Sequence, residues 1–224
     1  MSPVICMVTA RHQSSAERDR ALVDRIRAAA RAGVHLVQIR QPDFEGRPLM
    51  RLVENALLAV RGTRARVLVN DRVDVALAAG AHGVHLRGDS VPAPRVRAVA
   101  PPAFVIGRSV HSPEEAERVA REGGLDYLIC GTVFATSSKP GTQTTGPAPL
   151  AAACARVPLP VVAIGGMTPA HLGVVAQSGA AGFAAINLFA DCELDALPSV
   201  VDRAARAFNP VLASTGHGVT ELRS

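Results

Sequence analysis

The chain has no tryptophan, one tyrosine and six phenylalanines, so aromatic residues make up 3% of its 224 positions. A folded core must then be assembled from Val, Leu, Ile and Ala, which suits strands buried on both faces and helices that approach them through small side chains. Cysteine is sparse as well. Cys6, Cys130, Cys154 and Cys192 lie far apart and form no CxxC pair, which argues against a disulfide framework or a metal cluster and for buried free thiols. No apolar run approaches the ~20 residues of a membrane span, and no charged leader precedes a signal-type apolar stretch. A cytoplasmic protein with no membrane partner is the expectation. No GxGxxG follows a strand-like run, which weighs against a dinucleotide fold, and the missing GxxxxGK[ST] weighs against a P-loop NTPase.

Basic charge is in modest surplus, with 24 Lys and Arg against 19 Asp and Glu. The arginines alternate with acidic residues along the expected helices, without the aromatic-rich basic stripe or zinc-finger spacing of nucleic-acid recognition. No nucleic-acid partner is expected; an Arg-rich surface that attracts a small anionic substrate accounts for the surplus. Hydrophobic residues form 48% of the chain, enough for one substantial core and a single domain.

Strand-like and helix-like runs alternate along the chain. Strands are expected at Val4–Thr9, Val34–Ile39, Arg66–Val69, Gly83–Leu86, Phe104–His111, Tyr127–Cys130, Leu159–Ile164 and Gly182–Ile186. Helices are expected between them at Ser15–Ala32, Arg47–Arg61, Val73–Ala79, Pro94–Val99, Pro113–Glu122, Pro147–Arg156 and from Thr168-Pro169 to Ser178, with Leu194–Ala207 closing the fold. Eight strands separated by helices predict an α/β fold, a single-domain TIM (β/α)8 barrel over residues 1–207 with a peripheral tail over 208–224. An open doubly wound sheet is the alternative.

Polar residues collect after the strands, where such a barrel carries its site. Gly165-Gly166 ends the seventh strand just before a helix, so backbone amides and a positively polarised helix start could hold phosphate; a plain tight turn is the alternative. Thr136, Ser138 and Lys139 follow the sixth strand with hydroxyls and an ammonium suited to phosphate or a developing anion, or to a solvated loop. Ser109 and His111 stand at the exit of the fifth strand, and an imidazole can exchange protons near neutrality. Gln38 and Arg40, two apart, can point into a common cavity, the guanidinium as a fork for an anion. Asn70 and Asp71 offer an amide and a carboxylate. Asp71 could meet magnesium, although one carboxylate does not make a metal site.

The segments QIR at 38–40, VNDRVDVALAAGAHGVHL at 69–86, IGRSVHSPEEA at 106–116, DYLICGTVFATSSK at 126–139 and VVAIGGMTP at 161–169 resemble the thiamin phosphate synthase and thiazole tautomerase (TenI-type) family. The resemblance runs to about Phe189 and implies a TIM barrel in thiamin metabolism. In its synthase branch it implies Gln38, Arg40, Asn70, Ser109 and Lys139 around a pyrimidine diphosphate and Asp71 on Mg2+. Thr136, Ser138, Gly165 and Gly166 would then hold a thiazole phosphate. Pro42 stands where that branch has a lysine, and Ser90 where it has a second magnesium-binding aspartate. The segments around His111 and Gly165-Gly166 look more like the tautomerase branch. The leading expectation is therefore a tautomerase-like isomerase acting on a carboxythiazole phosphate, with His111 transferring the proton, phosphate held by Gly165-Gly166 and by Asn187 at the end of the last strand, and no cofactor. A synthase with Mg2+ and a non-catalytic phosphate-metabolite-binding protein are the alternatives, and a homodimer is an open assembly state.

Overall fold

A computed structural model describes residues 3–136 and 144–208. The strands are β1 (Val4–Val8), β2 (Leu36–Ile39), β3 (Arg66–Asn70), β4 (Gly83–Leu86), β5 (Val105–Val110), β6 (Tyr127–Cys130), β7 (Val161–Ile164) and β8 (Gly182–Ala185). They lie side by side in chain order, every neighbouring pair is parallel, and β1 pairs with β8 to close the barrel. The helices are α1 (Ala16–Ala32), α2 (Gly46–Ala59), α3 (Val73–Ala78), α4 (Ala93–Arg97), α5 (Pro113–Glu122), α6 (Pro147–Arg156), α7 (Leu172–Gln177), α8 (Asn187–Ala190) and α9 (Leu197–Phe208). The single-domain TIM barrel expected from the alternation is the observed fold.

Strand alternation divides the apolar residues into two cores. Cys6, Val8, Leu68, Tyr127, Ile129, Val162 and Ala184 pack together inside the barrel, while intervening residues such as Ile5, Met7, Val37, Ile39, Val69 and Phe183 join the helices in a larger outer cluster. With few aromatics the interior is filled by branched side chains, and the one large ring needs room made for it. The Tyr127 ring passes so close to Gly107 that a Cβ there would lie 2.1 Å from it.

The helices bury one stripe each. In α1 that stripe is Val23, Ile26, Ala29 and Ala30, with acidic Glu17 and Asp19 in the first turn and Arg31 in the last, as the helix dipole favours. Burying a side chain such as Ile26 or Leu52 contributes about 1.5–3 kcal/mol. The exposed i,i+4 pairs Arg118–Glu122 and Arg206–Asp202 contribute about 0.3–0.5 kcal/mol each, so apolar packing of helices on the barrel holds the fold. Cys6 and Cys130 are buried, Cys154 and Cys192 partly so, and all are free thiols. Among the described residues no helix is long and apolar enough to cross a membrane.

Several boundaries differ from expectation by a few residues, and three differences have clear local reasons. β2 begins at Leu36 because Val34 belongs to the end of α1: the amides of Gly33 and Val34 donate back to Ala30 and Ala29 at 3.1 Å each, a Schellman closure with Gly33 at φ 106°. β7 begins at Val161 because Pro160 has no N–H for the ladder; only its carbonyl is used, by Leu128 N–H at 2.9 Å. Asn187, expected at the end of the last strand, instead opens the short helix α8. Phe208 closes α9 with its ring centroid 6.1 Å from that of Phe183; residues 209–224, most of the expected tail, lie outside the described residues.

Candidate active site

At the carboxyl ends of β2 and β3 the inward positions turn polar. Gln38, only 3% exposed, donates from Nε2 to Asn70 Oδ1 at 2.9 Å. Its Oε1 is buried with no partner among the described residues. A buried acceptor left without a donor costs about 1–3 kcal/mol, a cost that a ligand N–H would remove. Arg40 follows just beyond β2, its backbone N–H fixed to Thr9 Oγ1 at 2.9 Å. Burial first, then the nearby Arg11 and Arg87 charges, press the half-buried guanidinium pKa down, with Asp43 acting the other way. Arg40 is thus a cation among cations, an environment that favours an anion.

Asp71 is the only non-glycine among the described residues with positive φ, at 65°. Its N–H donates to His85 O at 2.9 Å, which anchors the turn and leaves the carboxylate facing the β4–α4 loop. There Ser90 Oγ donates to Asp71 Oδ1, and Arg87 Nη1 stands 3.7 Å from Oδ2. That loop is held from behind. Arg108, on β5 and 4% exposed, donates to the carbonyls of Gly88, Ser90 and Val91 at 3.2, 2.7 and 3.3 Å. A guanidinium buried among main-chain carbonyls fixes where Ser90 and Arg87 stand relative to Asp71. Asp89, exposed, is drawn off to Arg87 Nη2 at 2.7 Å.

Ser109 joins this polar sector through a residue that the sequence did not single out. His85 Nε2 lies 2.8 Å from Ser109 Oγ, and His85 Nδ1 lies 3.0 Å from Tyr127 Oη. Burial, assisted by the Arg108 charge, pushes the His85 imidazole down to about 3, so it is neutral at physiological pH. Its two ring nitrogens therefore differ, and the Tyr127–His85–Ser109 chain sets the direction of the serine hydroxyl. The signal was present in the alternation: Val84 and Leu86 face outward, which turns His85 inward.

His111 sits on the rim after β5. Its backbone N–H donates to Glu115 Oε2 at 2.7 Å, and its Nδ1 is hydrogen-bonded to Gly131 O. A carbonyl accepts, so Nδ1 carries the proton and Nε2 is left as the other ring position. No hydrogen bond joins it to Gln38, Asn70 or Ser109 among the described residues. Gly165 and Gly166 take φ 106° and 60°, where added Cβ atoms would lie 2.5 Å from Thr132 Cγ2 and 2.3 Å from Ala135 O. The turn is therefore pressed against the loop after β6 and admits no side chain. Thr168 starts a 3-10 turn over Pro169–His171 without capping it through its side chain, and α7 has six residues, so the polarised helix start expected here is slight. His171 Nδ1 instead meets Gly166 O at 2.7 Å, and its ring stacks on Phe134 with centroids 3.9 Å apart. Thr136 lies at the end of the described part of that loop, partly buried; Ser138 and Lys139 lie outside the described residues. Asn187 is exposed at the start of α8, a short extra helix directly after β8, where barrels with this topology commonly place phosphate.

The thiamine monophosphate synthase family profile matches residues 5–189 of this chain. The chain belongs to that family. A thiamine-phosphate synthase of Chlorobium luteolum is 34% identical over 97% of this chain and 96% of its own length, and one of Roseiflexus castenholzii is 41% identical over 75% of this chain and 74% of its own. Among solved structures, a thiamine phosphate pyrophosphorylase of Pyrococcus furiosus superposes with a TM-score of 0.78 at 29% identity, covering 93% of this chain and 96% of that one.

These relatives correct the isomerase expectation. Proteins 34–42% identical carry the synthase name, so the tautomerase assignment, with its cofactor-free chemistry, does not stand. Pro42 and Ser90 do not exclude the chain from this family: Ser90 Oγ meets the Asp71 carboxylate, and the Arg87 guanidinium stands 3.7 Å from it.

Proposed function

We propose that the protein is an enzyme of thiamin biosynthesis, a thiamin phosphate synthase that joins a hydroxymethylpyrimidine diphosphate to a thiazole phosphate and releases pyrophosphate. The observation that carries this reading is the buried, unpartnered Gln38 Oε1 beside Asn70, an acceptor matched to an amino-substituted ring, with Arg40 and Asp71 at the adjoining rim for its diphosphate.

In the reaction the bond between the pyrimidine methylene carbon and the diphosphate oxygen breaks, and its electron pair leaves with pyrophosphate. The thiazole nitrogen then donates its lone pair to that carbon. Arg40 stabilises the charge that grows on the departing oxygen, the kind of electrostatic contribution that dominates such steps. Gln38 and Asn70 fix the pyrimidine ring, and the Ser109 hydroxyl, set by His85, adds a directed hydrogen bond. Gly165, Gly166, Thr136, Ser138 and Asn187 would take the thiazole phosphate, and Lys139 would add its ammonium to the diphosphate.

The family implies Mg2+. The donors on hand are hard oxygens, the Asp71 carboxylate and the Ser90 hydroxyl, and no group of three His, Cys, Asp or Glu converges among the described residues. That set fits magnesium, which is commonly held by one or two carboxylates with substrate phosphates completing its shell. Asp71 with Ser90 would hold it, and it would supply positive charge to the diphosphate. His111 has no proton to move in this chemistry; it ties β5 to the loop that packs on Gly165.

The test is incubation of purified protein with hydroxymethylpyrimidine diphosphate, thiazole phosphate and Mg2+. Thiamin phosphate and pyrophosphate should appear in equal amounts. Absence of both with correctly folded protein would reject the proposal.

A further inference from the structure

Arg87 stands beside Asp71 but has no part in the reaction as set out above. It follows β4, and three contacts hold its loop against Asp71: Arg87 N–H donates to Ser90 Oγ at 2.8 Å, Ser90 Oγ donates to Asp71, and Arg108 grips the carbonyls of Gly88, Ser90 and Val91. The guanidinium divides its charge between Asp89 at 2.7 Å and Asp71 at 3.7 Å. The Asp89 pair is well exposed, with side chains 57% and 72% accessible, and pairs of that kind are weak and readily exchanged. A diphosphate offers more acceptor oxygens and more charge than one carboxylate, in a geometry that the guanidinium fork matches.

We infer that Arg87 is a further diphosphate-binding residue of this enzyme, which leaves Asp89 to grip the anion beside Arg40 and, before the anion binds, competes with the metal ion for Asp71. The inference rests on the synthase reading. Arg40 feels the charges of both Arg87 and Arg11, so guanidiniums from the ends of β1, β2 and β4 share one stretch of rim. Arg11 has an exposed pair of the same kind, with Asp43 at 2.7 Å, but among the described residues it makes no ion pair with Asp71, whereas Arg87 does, which leaves Arg87 as the residue that senses both metal and anion.

The two functions of Arg87 predict effects of opposite sign. Inorganic pyrophosphate with Mg2+ is titrated calorimetrically into wild type, R87A, R87K and D89A, and Mn2+ binding without pyrophosphate is followed by electron paramagnetic resonance. R87A should weaken pyrophosphate binding about tenfold and tighten Mn2+ binding severalfold as the competing cation is removed. R87K should fall between, keeping the charge without the fork. D89A, which frees the guanidinium, should tighten pyrophosphate binding. Pyrophosphate affinity within twofold of wild type in R87A overturns the inference. Weakening of both ligands in R87A also overturns it, by assigning Arg87 to holding the loop. Wild type that makes thiamin phosphate while R87A binds pyrophosphate normally sinks the Arg87 role alone; wild type that neither turns over nor binds pyrophosphate sinks the synthase reading with it.

Discussion

Gln38→Met separates a substrate contact from a strut of the barrel. Methionine nearly conserves volume and fills the same interior space, so packing changes little. The substitution removes the Nε2 bond to Asn70, 2.9 Å long, a net loss of about 1 kcal/mol. It also removes Oε1, which is buried without a partner and which costs the folded state about 1–3 kcal/mol. Asn70 is only partly buried and can turn its freed oxygen to water. The balance is a fold between unchanged and about 2 kcal/mol more stable, measured by urea unfolding at neutral pH. Binding should move the other way, because a site built to accept a substrate N–H loses that contact entirely. An increase in KM for the pyrimidine diphosphate of about 10–100-fold is expected, equivalent to about 1.4–2.7 kcal/mol, with KM for the thiazole phosphate little changed. A variant that loses more than 2 kcal/mol of stability and keeps its KM would show that Gln38 braces β2 against β3 and that the orphan oxygen has no ligand.

Asp71→Asn should lower turnover at least 100-fold, about 2.7 kcal/mol of barrier, and shift the Mg2+ dependence to higher concentration; a full-rate variant with unchanged Mg2+ response would remove Asp71 from the diphosphate end. Gly166→Ala places a Cβ 2.3 Å from Ala135 O at φ 60°, so a loss of roughly 2–4 kcal/mol in unfolding free energy is expected from strain and clash. KM for the thiazole phosphate should rise with it; normal stability would mean that the turn relaxes freely. The neutral His85 predicts acid sensitivity. Its pKa in the fold is pushed down to about 3 from the ordinary imidazole value of 6.5, so between those pH values the unfolded chain binds a proton that the folded chain does not, and stability falls as pH drops from 6.5. From pH 7 to pH 4.5 this group accounts for about 2–3 kcal/mol, which His85→Gln should abolish. His35 and His82 are shifted in the same direction, chiefly by burial, so the variant's urea-unfolding curve should flatten between these pH values without becoming level. An equal loss in both proteins would contradict the assignment.

The barrel was legible because its order is written in local patterns. Runs such as Val161–Ile164 and Tyr127–Cys130 are too short and too continuously apolar for helices, and α5 announces itself with Ser112-Pro113 and its acidic first turn. Ser112 Oγ accepts from Glu115 N–H at 3.1 Å as that signature predicts, while the Glu115 carboxylate reaches one residue further back, to His111 N–H. What escaped was set by contacts distant in sequence. Helix α8 has four residues and no periodicity to detect. Arg108 faces away from the barrel axis, where an arginine ordinarily reaches solvent; only the fold of residues 88–91 over it reveals a buried clamp. Pro42 and Ser90 could be counted as missing ligands from the chain alone, but the Arg87 guanidinium and the Ser90 hydroxyl converging on Asp71 become visible only once the β4–α4 loop has a shape.

The barrel interior is itself asymmetric, in a way that suits two unlike substrates. Near the carboxyl end the inward positions of β2 to β5 are Gln38, Asn70, His85 and Ser109, whereas β6 to β8 and β1 present Ile129, Ile164, Ile186 and Val8 to the inner core. Parallel strands in register make these two sectors face each other across the barrel. In the proposed reaction the pyrimidine, with its ring nitrogens and amino group, needs directed hydrogen bonds and takes the polar sector, its diphosphate running out to Arg40 and Arg87. The thiazole needs only a phosphate anchor at the opposite rim, at Gly165-Gly166, and an apolar surface that leaves its ring nitrogen unsolvated. An unsolvated nitrogen keeps its lone pair for carbon, and a carbon that has lost its diphosphate meets that nitrogen before water when the sector behind it is dry. Under the proposed reaction the isoleucines and valines that replace aromatics in this chain would therefore do more than fill volume: on one side of the barrel they would make a wall that cannot compete as a nucleophile or a donor.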